Sequence, residues 1–169
     1  MDQPACTILV PDGRSEDGHM KHSSVMSTSV DVIATSVLTV PTRGEGFTDI
    51  TRKVARFLDE TGGRTGVASL FIRHTSASLT VQENADPDVL ADLLTSLRRL
   101  APADGGWRHT IEGPDDMPAH IKTMLTSVSL QIPVIDGALA LGTWQAIYLI
   151  EHRARPHSRE VVMQFMGSK

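Results

Sequence analysis

Cysteine occurs once, as Cys6, so no disulfide can form within the chain, and a reducing, cytoplasmic compartment is expected. Excess basic charge is missing too. The chain has 16 Lys and Arg against 20 Asp and Glu, a net charge of −4 and a pI near 5.9. A nucleic-acid-binding domain normally carries a basic stripe. The only doubled arginine, Arg98-Arg99, falls at the end of a predicted helix, where cations suit the helix dipole. No nucleic-acid partner is therefore expected. No stretch approaches the ~18 apolar residues of a membrane span. The first residues lack the basic start and apolar run of a signal peptide. Neither membrane insertion nor export is expected. Internal repeats and low-complexity tracts are also absent.

What is present is an ordinary globular composition, 40% hydrophobic and 21% charged, in 169 residues. That length can bury one sizeable core. Residues 1–26 carry Gly, Asp, Ser and His without apolar periodicity, which predicts a flexible tail, and Met20 and Met26 are alternative starts. A single domain is expected over 27–169. Alternation through Val30, Val32, Ala34, Leu38 and Val40 predicts a half-buried strand. Asp49 to Glu60 reads as a helix with Ile50, Val54, Phe57 and Leu58 on one face, stopped at Gly62-Gly63. Gly66 to Arg73 is a short apolar run, hence a buried strand. Asp86-Pro87-Asp88 carries a capping side chain, a proline suited to the first helical position and an acid at the positive dipole end. The helix that follows presents Val89, Leu90, Leu93, Leu94, Leu97 and Leu100. Asp136-Gly137 between apolar runs 127–135 and 138–153 predicts a hairpin, and Glu160 to Phe165 a last strand. Strands dominate, with two clear helices and a short third. The class is α+β rather than a βαβ alternation.

Three segments gather the chemistry. In EGPDDMPAH, 112–120, Pro114 and Pro118 restrict a loop bearing Glu112, Asp115 and Asp116, and Pro118 favours a helix start. If the helix includes Asp116, that residue and His120 lie four apart on one face. The segment then offers carboxylates for a cation, or a carboxylate–histidine pair for proton transfer. A capped helix start with solvated acids explains it equally well. In RHTSASLTVQENADPD, 73–88, His74 follows the buried strand, and Thr75, Ser76 and Ser78 supply hydroxyls suited to a phosphate or carboxylate. The G-x-S-x-G elbow of a serine hydrolase is missing. A structural role for His74 is the plain alternative. In LGTWQAIYLIEHR, 141–153, a strand would be apolar in the middle of both faces and polar at Glu151, His152 and Arg153. That ending points to a site, an interface or an ion pair at a sheet edge. His74, His109, His120 and His152 all fall in polar patches, yet none has the spacing of a motif such as H-E-x-x-H. Metal ligands need only meet in space.

HTSASLTVQENADPDVLADL, EGPDDMPAHIK and LGTWQAIYLIEHR, in this order, closely resemble the signatures of the YjbQ family, uncharacterised protein family 0047, over about Ser29 to Gly167. The resemblance implies an α+β fold around a closed mixed β-barrel or sandwich core, assembled as a homotrimer. It also implies a weak thiamine-phosphate synthase activity, which joins a pyrimidine diphosphate to a thiazole phosphate and releases pyrophosphate, beside an unsettled physiological role. A metal site involving histidines is implied as well. The family usually has glycine where this chain has Ala146, which would slightly narrow a pocket if substrate approaches there.

Synthase chemistry needs the charge of a diphosphate leaving group neutralised. Glu112, Asp115 and Asp116 are the candidates for a hydrated Mg²⁺, Lys122 and Arg153 for phosphate oxygens, and His74, Ser76 and Ser78 for the second phosphate or for proton movement. Glu151 completes the candidate catalytic set. The rival reading is a non-catalytic module in which His109, His120 and His152 hold zinc or a small anion. A serine hydrolase would need a seryl oxygen within hydrogen-bond reach of His74. The expected ligand in the leading readings is a small phosphorylated molecule or anion.

Overall fold

The computed structural model describes residues 22–169; the predicted tail lies largely outside them. Eight strands and three helices follow in the order β1 (Val32–Pro41), β2 (Gly46–Asp49), α1 (Thr51–Thr61), β3 (Thr65–Ile72), β4 (Ala77–Glu83), α2 (Pro87–Leu100), α3 (Asp116–Leu125), β5 (Ser129–Ile135), β6 (Ala138–Leu139), β7 (Gln145–Glu151) and β8 (Ser158–Ser168). They form a five-stranded sheet, β1-β8-β3-β5-β6, and a three-stranded sheet, β2-β7-β4. Every ladder is antiparallel. The sheets are linked where Leu79 of β4 bridges Ser127, just ahead of β5, with the Leu79 N–H donating to the Ser127 carbonyl at 2.6 Å.

One core joins both sheets. Leu70, Ile72, Val161 and Phe165 of the larger sheet pack with Leu79, Ile147 and Leu149 of the smaller, and α1 adds Val54, Phe57 and Leu58. The α1 face read from the sequence is the buried one, and its stop is Gly62 in the left-handed region (φ 68°). Asp49 stands outside the helix and accepts from the Thr51 N–H at 2.8 Å. The hairpin also forms: Asp136 and Gly137 both take positive φ, and β5 pairs with β6. The apolar run expected from 138 to 153 is divided, however. β6 is two residues long, and the chain turns at 140–144 before β7 enters the other sheet. There β7 is central between β2 and β4, so residues 146–152 are buried on both faces.

Helix α2 begins as read, with Pro87 in its first turn and the Asp86 carboxylate accepting from the Asp88 N–H at 2.9 Å. None of its residues is fully buried, and Leu100 is 65% exposed. This helix therefore relies on its cap more than a core helix would. Asp86→Ala should lower stability by about 1 kcal/mol, read as a shift in urea midpoint at unchanged slope. No shift would show that the cap is redundant.

Candidate metal centre

Helix α3 brings Asp116 and His120 onto one face, as the four-residue spacing requires. Asp116 is only 2% exposed, and its Oδ2 lies 3.3 Å from His120 Nε2. The loop before α3 returns His109 to the same oxygen, with Nε2 at 2.7 Å. The three side chains each offer one ligand atom, and these atoms lie within 4.8 Å of one another. The two imidazoles sit 5.7 Å apart between centroids.

Hydrogen bonding settles which lone pairs face the cluster. His120 Nδ1 is 3.0 Å from the Thr75 carbonyl, which can only accept, so Nδ1 donates. In the neutral ring Nε2 then presents a lone pair toward the Asp116 carboxylate. Two acceptors facing each other call for a cation or a proton between them. A ring whose second nitrogen donates to a backbone carbonyl is also the usual arrangement of a metal-ligating histidine. The donor set therefore fits a metal ion.

Asp116 is fixed from its other side. Arg153 donates to Asp116 Oδ1, to Asp115 Oδ2 at 3.1 Å and to the Glu112 carbonyl at 2.6 Å. Asp115 also accepts from the Ala154 N–H at 2.8 Å. Burial alone would raise the Asp115 carboxyl, but the Ala154 N–H and Arg153 more than offset it and hold it below its ordinary value. For Arg153, burial acts to lower the pKa, and Asp115, Asp116 and Glu112 more than reverse that. EGPDDMPAH thus closes around the Arg153 side chain. Glu112 contributes through its backbone; its carboxylate is 66% exposed and 3.9 Å from Arg153. Arg153, expected to meet phosphate, is already held by acids.

The remaining candidates fall into two further groups. Glu151, 1% exposed, receives a two-pronged contact from Arg159 at 2.6 and 2.7 Å, the Thr42 hydroxyl at 2.8 Å and the Arg153 N–H at 3.0 Å. Arg159 also donates to Ser76 Oγ at 3.1 Å. Ser76 and Glu151 therefore belong to a buried ion pair. His74 Nε2 accepts from the Glu160 N–H at 3.0 Å, so the neutral ring carries its proton on Nδ1, where Arg159 Nη1 lies 3.4 Å away. Burial, followed by the Arg159 charge, lowers the His74 pKa. No seryl oxygen hydrogen-bonds His74 among the described residues, and the serine hydrolase arrangement is not formed.

The sequence groups His152 with His109 and His120 as a ligand. The structure puts it elsewhere: it is 1% exposed, with Nε2 2.9 Å from Ser78 Oγ. Burial, then the Lys122 charge, lowers its pKa to about 4, so the ring is neutral. The end of β7 turned inward because that strand is central to its sheet, which sequence alternation does not reveal. Arg159 was missed altogether. It occupies an inward position of β8, in phase with Val161, Met163 and Phe165, and a charge in such a phase was the available signal. Ala146 is likewise buried in the ladder opposite Gln82.

Beside the centre, His74, Thr75, His120 and Thr123 line an open cleft of about 510 Å³. No helix among the described residues is long and apolar enough to cross a membrane.

A family model described as UPF0047 protein YjbQ-like matches residues 36–168. A UPF0047 protein of Synechocystis is 48% identical over 132 residues, 78% of this chain and 90% of that protein. The UPF0047 protein YjbQ of Salmonella typhimurium is 40% identical over 134 residues, 77% of this chain and 95% of that one. Among solved structures, an uncharacterized conserved protein of the YjbQ/UPF0047 family from Clostridium acetobutylicum superposes with a TM-score of 0.70 at 39% identity, covering 78% of this chain and 98% of its own. A conserved hypothetical protein from Thermus thermophilus gives 0.67 at 46% identity, covering 75% and 97%.

Proposed function

The chain belongs to the YjbQ-like UPF0047 family, and on that premise we propose that it binds a divalent metal through His109, Asp116 and His120 and acts on a small phosphorylated molecule in the adjoining cleft. The observation that carries this reading is His120 Nε2 lying 3.3 Å from the buried Asp116 carboxylate while Nδ1 donates to the Thr75 carbonyl. Two imidazoles and one carboxylate match the three-ligand sets of catalytic zinc, which leave a coordination position open. Mg²⁺ prefers an all-oxygen shell and suits the set less well. When bound, the ion would supply a Lewis acid for phosphoryl oxygens.

The chain's own residues have distinct tasks in this reading. Arg153 orients Asp116, and the Thr75 carbonyl orients His120. His74, Thr75 and Thr123 form the polar wall against which substrate rests. The synthase reaction implied by the resemblance forms a C–N bond to the thiazole, breaks the C–O bond to the diphosphate and releases pyrophosphate. With Arg153 engaged by acids, a bound ion would supply the charge neutralisation of that leaving group. This supports the synthase as a weak side reaction of a metal centre built for another small anion. The half-exposed leucines of α2 support assembly into an oligomer, and a homotrimer is the proposed state.

Metal content of the purified, untagged protein tests the reading. Roughly one zinc-like ion per chain is expected, falling to near none in His120→Ala. Equal and negligible metal in both proteins would leave His120 and Asp116 as a plain polar contact and remove the proposal.

A further inference from the structure

A second cavity lies between the β1–β2 turn, the C-terminal end of α2 and helix α3. It measures about 350 Å³ and is lined by Glu45, Arg98, Pro102, Pro118, Lys122 and His152 among others. Two of its polar residues are unusually deep. Lys122 is 4% exposed and His152 1%. Lys122 Nζ donates to Glu45 at 2.5 Å, and Arg98 donates to the other oxygen of that carboxylate at 2.7 Å. Asp115, a further acid on the wall, is already neutralised by Arg153.

His152 is incompletely satisfied. Its Nε2 meets Ser78 Oγ, but its buried Nδ1 has no hydrogen-bond partner. If Nε2 donated to Ser78, the serine hydroxyl would lose its own acceptor and Nδ1 would be left as a bare lone pair. If Ser78 donates to Nε2, only one group remains unpaired, the Nδ1–H. The second arrangement leaves fewer orphans, and an orphan buried donor is costly unless something fills the role of its partner. His152 lines the same cavity as Lys122.

We propose that this cavity binds a small oxyanion, the phosphate or carboxylate group of a small molecule, through Lys122, Arg98 and the Nδ1–H of His152. Glu45 shows the match: its carboxylate already seats between the two cations, and an external oxyanion sharing them would lie in the cavity that His152 lines. Glu45 sits on a turn next to Gly44, which has φ +133° and where an added Cβ would lie 2.7 Å from the Ala154 carbonyl oxygen. Only glycine lets the turn close over the cavity in this way, so Glu45 acts as a built-in competitor that the ligand displaces or joins. The site is separate from the metal centre and does not rest on it; none of its three donors is a proposed metal ligand.

The test is calorimetric titration of the full chain with sodium phosphate and, separately, sodium acetate at constant ionic strength. Alongside it, the His152 imidazole is followed by nitrogen-15 NMR. Saturable binding is expected, with the His152 Nδ1–H signal shifting along the same isotherm. Preference for phosphate or for acetate identifies the source of the oxyanion. Glu45→Gln should tighten binding several-fold by removing the competitor. Lys122→Met should weaken it about tenfold or more, the usual scale for a charged donor. Because Lys122→Met leaves Glu45 facing Arg98 alone, the Glu45→Gln/Lys122→Met protein, with no unpaired acid, serves as the folded control and should bind as weakly. In His109→Ala, which removes a proposed metal ligand, the His152 signal should still shift on addition of phosphate. Absence of saturable binding to both probes, a His152 signal that does not move, or a His152 shift that is lost in His109→Ala would each overturn the proposal.

Discussion

Asp116→Asn should abolish metal binding while the protein stays folded, whereas Asp116→Ala should lose both metal and much of its stability. The difference follows from what Asp116 does on its two sides. Its Oδ2 faces His109 and His120, and its Oδ1 accepts from Arg153. Asparagine preserves the shape and can keep a carbonyl oxygen on Arg153. It then turns an NH₂ group toward the histidines, and a donor in that place repels a cation. Alanine leaves Arg153, whose side chain is 13% exposed, short of one buried counter-charge. Breaking a buried pair from one side typically costs about 3–5 kcal/mol; the contacts to Asp115 and the Glu112 carbonyl will hold the loss toward the lower end. Metal content by mass spectrometry and guanidinium unfolding measure the two effects separately. His109→Ala, with a side chain 41% exposed, should lose metal at little cost in stability. An Asp116→Asn protein that carries as much metal as the wild type would remove Asp116 from the ligand set.

The largest loss of stability is expected at Glu151. Burial alone would raise its carboxyl, but Arg159, the Arg153 N–H and the Thr42 hydroxyl more than offset that and hold it below its ordinary value of 4.5. A carboxyl depressed in the fold contributes stability that is fully present above its unfolded pKa. That contribution is lost as pH falls through the folded pKa. The protein should therefore lose stability below roughly pH 4, and Glu151→Gln should flatten that part of the profile. At neutral pH, Glu151→Ala leaves the Arg159 guanidinium, 4% exposed, without its carboxylate. A loss of about 3–5 kcal/mol is expected, a large share of the usual total of about 5–15 kcal/mol. Glu151→Leu/Arg159→Met should recover most of it, since no charge is then buried alone. Chemical unfolding that shows under about 1 kcal/mol for Glu151→Ala would mean that Arg159 finds water instead, contrary to the accounting for buried ion pairs.

Much of the architecture was readable from local chemistry. Gly62 in the left-handed region, the Asp86 cap with Pro87 behind it and the Asp136-Gly137 turn each follow from a residue's own backbone preference or from a neighbour a few positions away. The α1 face follows from helical spacing, and so does the pairing of Asp116 with His120. Local chemistry did not find β2 or β4. The hydroxyl-rich start of β4 is assigned no strand from the sequence, and only pairing with β7 makes it a strand.

What the sequence by itself determined is the α+β class, the capped helices and three motifs able to carry a site. The tertiary structure decided how those motifs divide. It returned His109 to Asp116 across a loop with no periodic signal, closed the acidic segment on Arg153, and buried Glu151 and His152 because β7 runs through the middle of its sheet. Helical and turn preferences act over a few residues and leave their mark in the chain. Which polar group meets which across 74 residues, as Ser78 meets His152, depends on strand order, and strand order is a property of the whole core.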